Sequence, residues 1–320
     1  MQRRTCLTFF LLPVLAYGQP AEHIKPASQI TIGFSNIGAG VNAYVATYTA
    51  AFNTYAKQLG VRTVVLDSQA DAARQASQIQ SLIVQQVDVL IVWPINAKAV
   101  VPAVRKAHLA KIPVVITNSQ IDPSGEPYTA AFSGPDDYSQ ARIAAQLLVD
   151  ALKGQGSIVI LDGLPGYTAS QRRSEGFKEV LGHYPGIQVL DAQPANWSRE
   201  RGQSTMENFI ILFGRRIQGV LSASSDMGVG ALAAAKGAVS DGRLSRLPVF
   251  TDPTLTADAY DAIKAGDYSA SVLQSPEADA KSALKVALDI AQGRTPPKKV
   301  FIDTPAVTRE SISRLPRPGF

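Results

Sequence analysis

The sequence predicts an α/β fold with two lobes, each built on a parallel sheet that helices cover on both faces. Short β-branched segments alternate with helical segments along the chain, and this alternation is typical of parallel sheets. The strand segments, such as VDVLIVW and IPVVIT, are apolar on both faces, as strands buried between helices must be. With 320 residues, of which 46% are hydrophobic, the chain can bury two cores of medium size.

The elements follow one another with short breakers between them. In chain order, the predicted strands are ITIGF, RTVVLD, VDVLIVW, IPVVIT, GSIVILD, IQVLDAQ, IQGVLSA and LPVFTD. The predicted helices are YVATYTAAFNTYAKQLG, DAARQASQIQSLIVQQ, AKAVVPAVRKAHLA, DDYSQARIAAQLLVDALKG, TASQRRSEGFKEVLGHY, MGVGALAAAKGAVS, LTADAYDAIKAG and SPEADAKSALKVALDIAQG. Residues 122–137 are rich in Pro, Gly and Ser, which predicts a passage between the lobes. Strand ends followed by breakers predict further passages near residues 274–276 and 303–305.

The first 18 residues have the pattern of a secretory signal peptide. A basic start precedes an apolar stretch of about a dozen residues and the small-x-small site Ala16-Tyr17-Gly18, which predicts cleavage after Gly18. Cys6, the one cysteine, lies inside this segment and lacks the small apolar residues that should precede a lipid-modified cysteine. We therefore expect an exported chain without a lipid anchor, without thiol chemistry and without disulfides.

Charge and motif content exclude several function classes. The formal net charge is +5, and no basic run exceeds two residues, so nothing indicates a nucleic-acid partner. The histidines His23, His108 and His183 are scattered, and neither HExxH nor G-x-S-x-G occurs. No catalytic or metal site is therefore expected.

A glycine-rich segment leaves one alternative open. Gly38, Gly40 and Ala43 have the spacing of a dinucleotide-binding loop, and Asp67 could bind a ribose. Three residues separate Gly38 from the end of the strand, whereas the dinucleotide loop begins directly at the strand end. We therefore favour a turn that lets backbone amides and Asn42 approach a ligand, with an exported NAD-type oxidoreductase as the less favoured alternative.

Ligands of open parallel sheets bind beyond the carboxyl ends of the strands. Residues directly after predicted strands are therefore candidates for the site. They are Ser35, Asn36, Trp93, Asn118, Ser224, Ser225 and Asp252.

Several separated motifs resemble those of one family in both order and spacing. They are QLGVRTVVLDSQ, KIPVVIT, ASQRRSEGF, DAQPANW, SSDMGVGAL, VFTD and VLQSPEADA. From about Ile30 to Thr304, the chain is similar to the periplasmic sugar-binding proteins of type I, particularly the ribose-binding ones. The resemblance implies two Rossmann-like lobes joined by a three-strand hinge, composed here of residues 28–134 plus 276–303 and residues 135–275 plus 304–320. It also implies a periplasmic binding protein, not an enzyme, that closes on a sugar or polyol and delivers it to an ABC transporter permease, without a cofactor.

The resemblance also implies residues that contact the ligand. Asn42 and Tyr44 match an asparagine and an aromatic residue at the start of the first helix. Trp197 matches the phenylalanine of a QPAxF segment, Asp252 the aspartate that ends a strand, and Gln274 the hinge glutamine.

Other positions depart from the family pattern and point away from ribose. An Asp-Arg pair that grips ribose falls on Asn118 and Ser119, a second arginine falls on Gln171, and two pocket asparagines fall on Trp93 and Ser224. Arg173, on the same helix as Gln171, is the candidate replacement cation.

Aromatic rings with planar amides suit a sugar, which offers C–H faces and a rim of hydroxyls. Each candidate also has a structural interpretation. Trp93 and Trp197 could belong to the core, Tyr44 could pack on Tyr48, and Arg173 could pair with Glu175 or Asp162. Asp252 and Gln274 could be caps or hinge hydrogen bonds.

Two further functions are compatible with the predicted fold. A ligand-bound form could report to a chemoreceptor or sensor kinase, either instead of a permease or in addition to it. The effector-binding half of a repressor is disfavoured, because the chain starts with a signal pattern and not with a helix-turn-helix.

Overall fold

The structure, a computed structural model, describes residues 24–320. The predicted signal peptide, with Cys6, and His23 lie outside the described residues. None of the described helices is long and apolar enough to cross a membrane.

Two six-stranded sheets organise the chain, which confirms the predicted α/β fold. The first sheet has the order β11-β5-β4-β3-β1-β2. Its strands are β1 (Thr31–Asn36), β2 (Arg62–Asp67), β3 (Val89–Val92), β4 (Val114–Thr117), β5 (Ala131–Gly134) and β11 (Lys299–Phe301). All pairs within it are parallel.

The second sheet has the order β12-β10-β9-β8-β6-β7. Its strands are β6 (Gly156–Asp162), β7 (Ile187–Pro194), β8 (Gly219–Ser222), β9 (Val249–Asp252), β10 (Ala270–Val272) and β12 (Ala306–Thr308). The pairing is parallel except between β12 and β10, which run antiparallel. The eight predicted strands are all present, whereas β5, β10, β11 and β12 were not among them.

Helices cover both sheets. They are α1 (Ala43–Leu59), α2 (Ala72–Val84), α3 (Val101–Leu109), α4 (Asp137–Ala151), α5 (Thr168–Gly182), α6 (Arg199–Phe213), α7 (Ser225–Ser240), α8 (Ala257–Ala265) and α9 (Pro276–Ala291). Helix α6 was not among the predicted helices. Its buried residues are Gly202, Met206, Phe209 and Ile210, so a glycine takes one place on the apolar face.

In the first lobe, alternate strand residues face opposite helix layers. Ile91 packs with residues of α1 and α9, whereas Leu90 and Val92 pack with residues of α2 and α3. Burial on both faces explains why this strand is apolar throughout.

The chain passes three times between the sheets. It leaves the first sheet after β5, returns after β10 into α9 and β11, and leaves again to form β12. These passages join the lobes beside the carboxyl ends of several strands, where polar residues follow the strands.

Candidate ligand-binding cleft

A cavity of about 140 Å³ lies between the two lobes. Residues that follow strands of both sheets line it, as expected for open parallel sheets. Most of the predicted site residues are among its lining residues: Asn42, Tyr44, Trp93, Asn118, Arg173, Trp197, Ser224 and Gln274. Asn36, Gln171 and Asp252 are not among them.

Aromatic rings of the first lobe form one wall of the cavity. Trp93 packs against Tyr48 with ring centroids 4.9 Å apart, and Tyr44 meets Trp93 edge-on at 6.2 Å. Trp93 is only 2% exposed and belongs to the apolar core while it also lines the cavity. Its indole Nε1 donates a hydrogen bond of 2.7 Å to the hydroxyl of Tyr167. Tyr167 comes after β6 of the second sheet, so this bond joins the two lobes directly.

Trp197 forms the facing aromatic wall in the second lobe. Tyr167 meets its ring edge-on at 6.0 Å, and the Arg173 guanidinium lies 5.7 Å from the ring centroid. A Cβ atom on Gly163 would lie 2.1 Å from the Trp197 ring. Only glycine therefore lets the indole take this position.

Arg173 is the buried cation of the cleft, as 96% of its surface is covered. Its Nε donates to Asp137 at 2.9 Å, its Nη1 to the carbonyl of Ala223 at 2.7 Å, and its Nη2 to Gln274 Oε1 at 2.9 Å. The alternative pairings with Glu175 and Asp162 are wrong, because Arg172 binds Glu175 and Ser174 binds Asp162. The Asp137 carboxylate balances the arginine charge.

A second series of hydrogen bonds, after the one around Arg173, connects the hinge to the first lobe. Gln274 Nε2 donates to the Tyr44 hydroxyl at 2.9 Å, and that hydroxyl donates to Asp279 at 3.0 Å. Asn118 Nδ2 donates to the same carboxylate oxygen at 2.7 Å. Asp279, in the first turn of α9, was not predicted as a site residue. It lies in the motif VLQSPEADA, where an acid at the start of a helix also has an ordinary interpretation as a favourable charge at the helix N-terminus.

Burial controls the protonation of the cleft acids. Desolvation raises the pKa of Asp279 to about 7, although the hydrogen bonds from Asn118 and Tyr44 oppose this shift. Burial also raises the pKa of Asp137, against the opposing charge of Arg173. Desolvation raises the pKa of Tyr167 to about 12, so its hydroxyl stays neutral. The Arg173 guanidinium is paired with the Asp137 carboxylate at 2.8 Å, so this ion pair by itself attracts a charged ligand only weakly.

The predicted site residues that do not line the cavity lie around it. Asn36 is buried and donates to Thr49 Oγ1 at 2.7 Å. Asp252 is fully buried, and one of its oxygens accepts hydrogen bonds from Ser225, Ser271 and the Thr254 amide at 2.7–2.8 Å. Gln171 is exposed on α5.

The glycine segment forms a turn that Asp67 holds. The Asp67 carboxylate accepts from the amides of Ala39 at 3.3 Å and Gln69 at 2.8 Å. Asn42 caps α1 by accepting from the Val45 amide at 3.0 Å. The acid that a ribose would need is thus committed to backbone amides, which disfavours the dinucleotide interpretation.

Unusual backbone conformations concentrate at the cleft. The cavity-lining residues Ala70, Asn118 and Trp197 have φ values of +57°, +58° and +63°. Other non-glycine residues with positive φ are their neighbours Gln69 and Asn196, and Gln86, Lys111 and Lys153, which follow helix ends. Positive φ is costly for residues other than glycine and often marks functional sites.

Similarity to known proteins agrees with this geometry. The family model described as a periplasmic binding protein domain matches residues 32–295. The xylitol-binding protein of Mycolicibacterium smegmatis is 32% identical over 306 residues, covering 90% of this chain and 85% of its own. The ribose import binding protein RbsB of Bacillus subtilis is 30% identical over 300 residues, which cover 92% of this chain and 93% of that protein.

A solved structure supports the same relationship. The binding component of the arabinose ABC transporter from Shewanella sp. ANA-3, bound to L-arabinofuranose, has a TM-score of 0.82 and 26% identity. The match covers 89% of this chain and 93% of that one. These relatives are binding proteins and not enzymes, which confirms the predicted class and removes the oxidoreductase alternative. The chain therefore belongs to the periplasmic binding protein family.

Proposed function

We propose that this protein captures a small, uncharged sugar or polyol by closure of its two lobes and delivers it to an ABC transporter permease. The observation that carries the proposal is the cavity between the lobes, which has Tyr44 and Trp93 on one wall and Trp197 on the other. Such rings suit the C–H faces of a polyhydroxylated ligand. The named ligands of the relatives, xylitol, ribose and L-arabinofuranose, belong to this class.

The volume of the cavity favours a ligand as small as a pentose or pentitol. A dry cavity of about 150 Å³ holds benzene, and the cleft cavity is about 140 Å³. A disaccharide would exceed this volume. The neutralised Arg173 also favours an uncharged ligand, because its guanidinium is committed to Asp137, Ala223 and Gln274.

The residues we assign to direct contact are those that line the cavity. Ser224 Oγ is buried and has no hydrogen-bond partner among the described residues, so a ligand hydroxyl would satisfy it. Asn118 and Gln274 offer amides at the rim, and Trp197 offers an aromatic face. Asn36 and Asp252 would act behind this layer by holding the strand ends, and Gln171 is given no role.

The strained backbone supports the same assignment. Ala70, Asn118 and Trp197 cost free energy in their left-handed conformations. Ligand contacts can offset this cost when the strained backbone conformation directs a side chain toward the ligand.

Binding can be measured without a label. The sequence contains two tryptophans, and both Trp93 and Trp197 line the cavity, so fluorescence reports directly on the cleft. We expect titration with xylitol, D-ribose, L-arabinose and myo-inositol to change the emission for at least one of them, with calorimetry giving the affinity. We expect Trp197→Ala to weaken that binding about tenfold, and Trp197→Phe to retain most of it. No response to any of these compounds would reject the sugar or polyol proposal.

The export route and the partner are also part of the proposal. Members of the family act in the periplasm, and we propose that residues 1–18 direct export. Deletion of the gene should abolish uptake of the radiolabelled ligand, and the intact gene should restore it. Normal uptake together with a lost chemotactic or transcriptional response would instead assign the protein to a chemoreceptor or sensor kinase.

A further inference from the structure

Phe320, the last residue of the sequence, lines the cavity between the lobes. Its ring meets Tyr44 edge-on, with centroids 5.7 Å apart and an interplanar angle of 89°. Tyr44 lies on α1 of the first lobe, whereas Phe320 follows β12 of the second sheet. The contact therefore spans the cleft in the same way as the hydrogen bond between Trp93 and Tyr167.

Independent contacts hold this segment on α8. The main-chain oxygen of Phe320 accepts from the Ala257 amide at 2.6 Å, at the first residue of the helix. The Arg317 guanidinium binds both oxygens of Asp261 at 2.7–3.0 Å. The Tyr260 hydroxyl donates to the Leu315 carbonyl at 3.1 Å.

These anchors direct the segment toward the ligand site. Thr256, the N-cap of α8, itself lines the cavity, so a segment fixed beside Ala257 reaches the cleft. Residues 315–320, which we call the strap, are thus positioned by one lobe and presented to the other.

We propose that Phe320 is a ligand-contacting residue that sets the size of ligand the cleft accepts. This inference rests on the proposed function, because it concerns the same cavity. The ring supplies an apolar wall next to Tyr44, and an aromatic wall packs well against the C–H face of a sugar or polyol. The ring also fills space that a larger ligand would need.

The first test compares Phe320→Ala, Phe320→Tyr and Phe301→Ala with the unchanged protein. Phe301 is the matched control, because it is an exposed aromatic residue that packs on Phe132 and does not line the cavity. For the best ligand of the panel, we expect Phe320→Ala to lower the affinity at least about fivefold and to reduce discrimination against bulkier compounds. Phe320→Tyr should restore most of the affinity, and Phe301→Ala should change nothing. Unaltered affinity and ligand ranking in Phe320→Ala would overturn the inference.

The second test needs no ligand. Acrylamide quenching of Trp93 and Trp197 reports how well the cleft is covered. We expect the quenching constant of ligand-free protein to rise in Phe320→Ala and to stay unchanged in Phe301→Ala. If the unchanged protein binds none of the compounds in the panel, the proposed function is rejected. The quenching measurement still tests whether Phe320 covers the cleft, because it needs no ligand. Equal quenching in Phe320→Ala and the unchanged protein would then overturn the strap as a wall of the cleft.

Discussion

Gln274 joins the two series of hydrogen bonds in the cleft, and the second series ends at Asp279, a buried acid whose pKa is raised by desolvation. Both neighbours, Tyr44 and Asn118, donate to its Oδ2, while its Oδ1 is buried without a hydrogen-bond partner among the described residues. An unpartnered carboxylate oxygen is costly when charged. The neutral acid is therefore the more stable form until the pH reaches about 7, in line with its raised pKa.

This raised pKa predicts how stability depends on pH. The Asp279 carboxyl has an ordinary value of 3.8 and a folded-state pKa of about 7. As pH rises from about 4, the unfolded chain releases this proton while the folded chain retains it, so folding stability falls until about pH 7 and then levels off. The loss amounts to at most about 4 kcal/mol. Asp279→Asn keeps an acceptor for both donors and should remove this loss, which urea unfolding across the pH range measures.

A control for this titration lies on the same helix. Asp289 is paired with Lys285 and Arg294, whose hydrogen bonds lower its pKa. Asp289→Asn should therefore leave the fall in stability between pH 4 and 7 in place. An equal pH slope in Asp279→Asn and the unchanged protein would contradict the neutral buried acid.

Residues that line the cavity were predicted where they stood next to a recognisable strand end or motif, although Asn36 and Asp252 met the same condition and do not line it. Trp93, Asn118 and Trp197 met that condition, and all three line the cavity. The contacts among the site residues were not predictable, because they join distant segments. Asp279 binds Tyr44 and Asn118 across 235 and 161 positions of the chain. Phe320 and Tyr167 lacked any local pattern that distinguishes a cleft residue from a core or surface one.

At the level of elements, the pairing of α6 with α7 depends on glycines. A Cβ atom on Gly202 would lie 2.3 Å from the Met227 carbonyl oxygen, and one on Gly230 would lie 2.0 Å from the Arg199 carbonyl oxygen. The two helix backbones approach too closely for any side chain at these positions. This close contact explains why hydrophobic periodicity failed to predict α6, since a glycine on its inner face adds no apolar signal.

Substitution of these glycines tests the close approach. Gly230→Ala should lower the free energy of unfolding by about 2 kcal/mol or more, because the added methyl group forces the helices apart. Gly237→Ala on the same helix is the matched control, since nothing lies within 4 Å of its Cβ position and the site is exposed. It should raise stability by up to about 1 kcal/mol. Similar effects of the two substitutions in urea unfolding would argue against the tight packing.

Strands were predicted where they carried a long apolar segment. The ones not predicted are short: β10, β11 and β12 have three residues each, and β5 lies within the Pro- and Gly-rich segment. These strands pair at or near the lobe connections. Each of them pairs with neighbours inside one sheet, and segments this short carry little local pattern from which a strand can be predicted.

At the scale of the whole molecule, the alternation of strands and helices, together with the chain length of 320 residues, was sufficient to predict two lobes. The relative position of the lobes depends instead on a few contacts across the cleft. The Trp93–Tyr167 hydrogen bond joins the lobes directly. At the hinge, a series of hydrogen bonds from Arg173 through Gln274 to Tyr44 also joins the two lobes. Contacts that exist only in the closed arrangement shift the equilibrium between open and closed forms by their own free energy.

Tyr167→Phe should therefore shift the protein toward open forms. The substitution keeps the ring against Trp197 and leaves the buried Nε1 of Trp93 without an acceptor when the lobes close. A loss of about 1 kcal/mol from the closed form lowers ligand affinity roughly fivefold. Small-angle X-ray scattering of the ligand-free protein should show a larger radius of gyration. Tyr184→Phe removes a tyrosine hydroxyl that bonds to Gln146 within the second lobe and should change neither quantity. If the two variants bind ligand equally well, the hydrogen bond does not hold the lobes together.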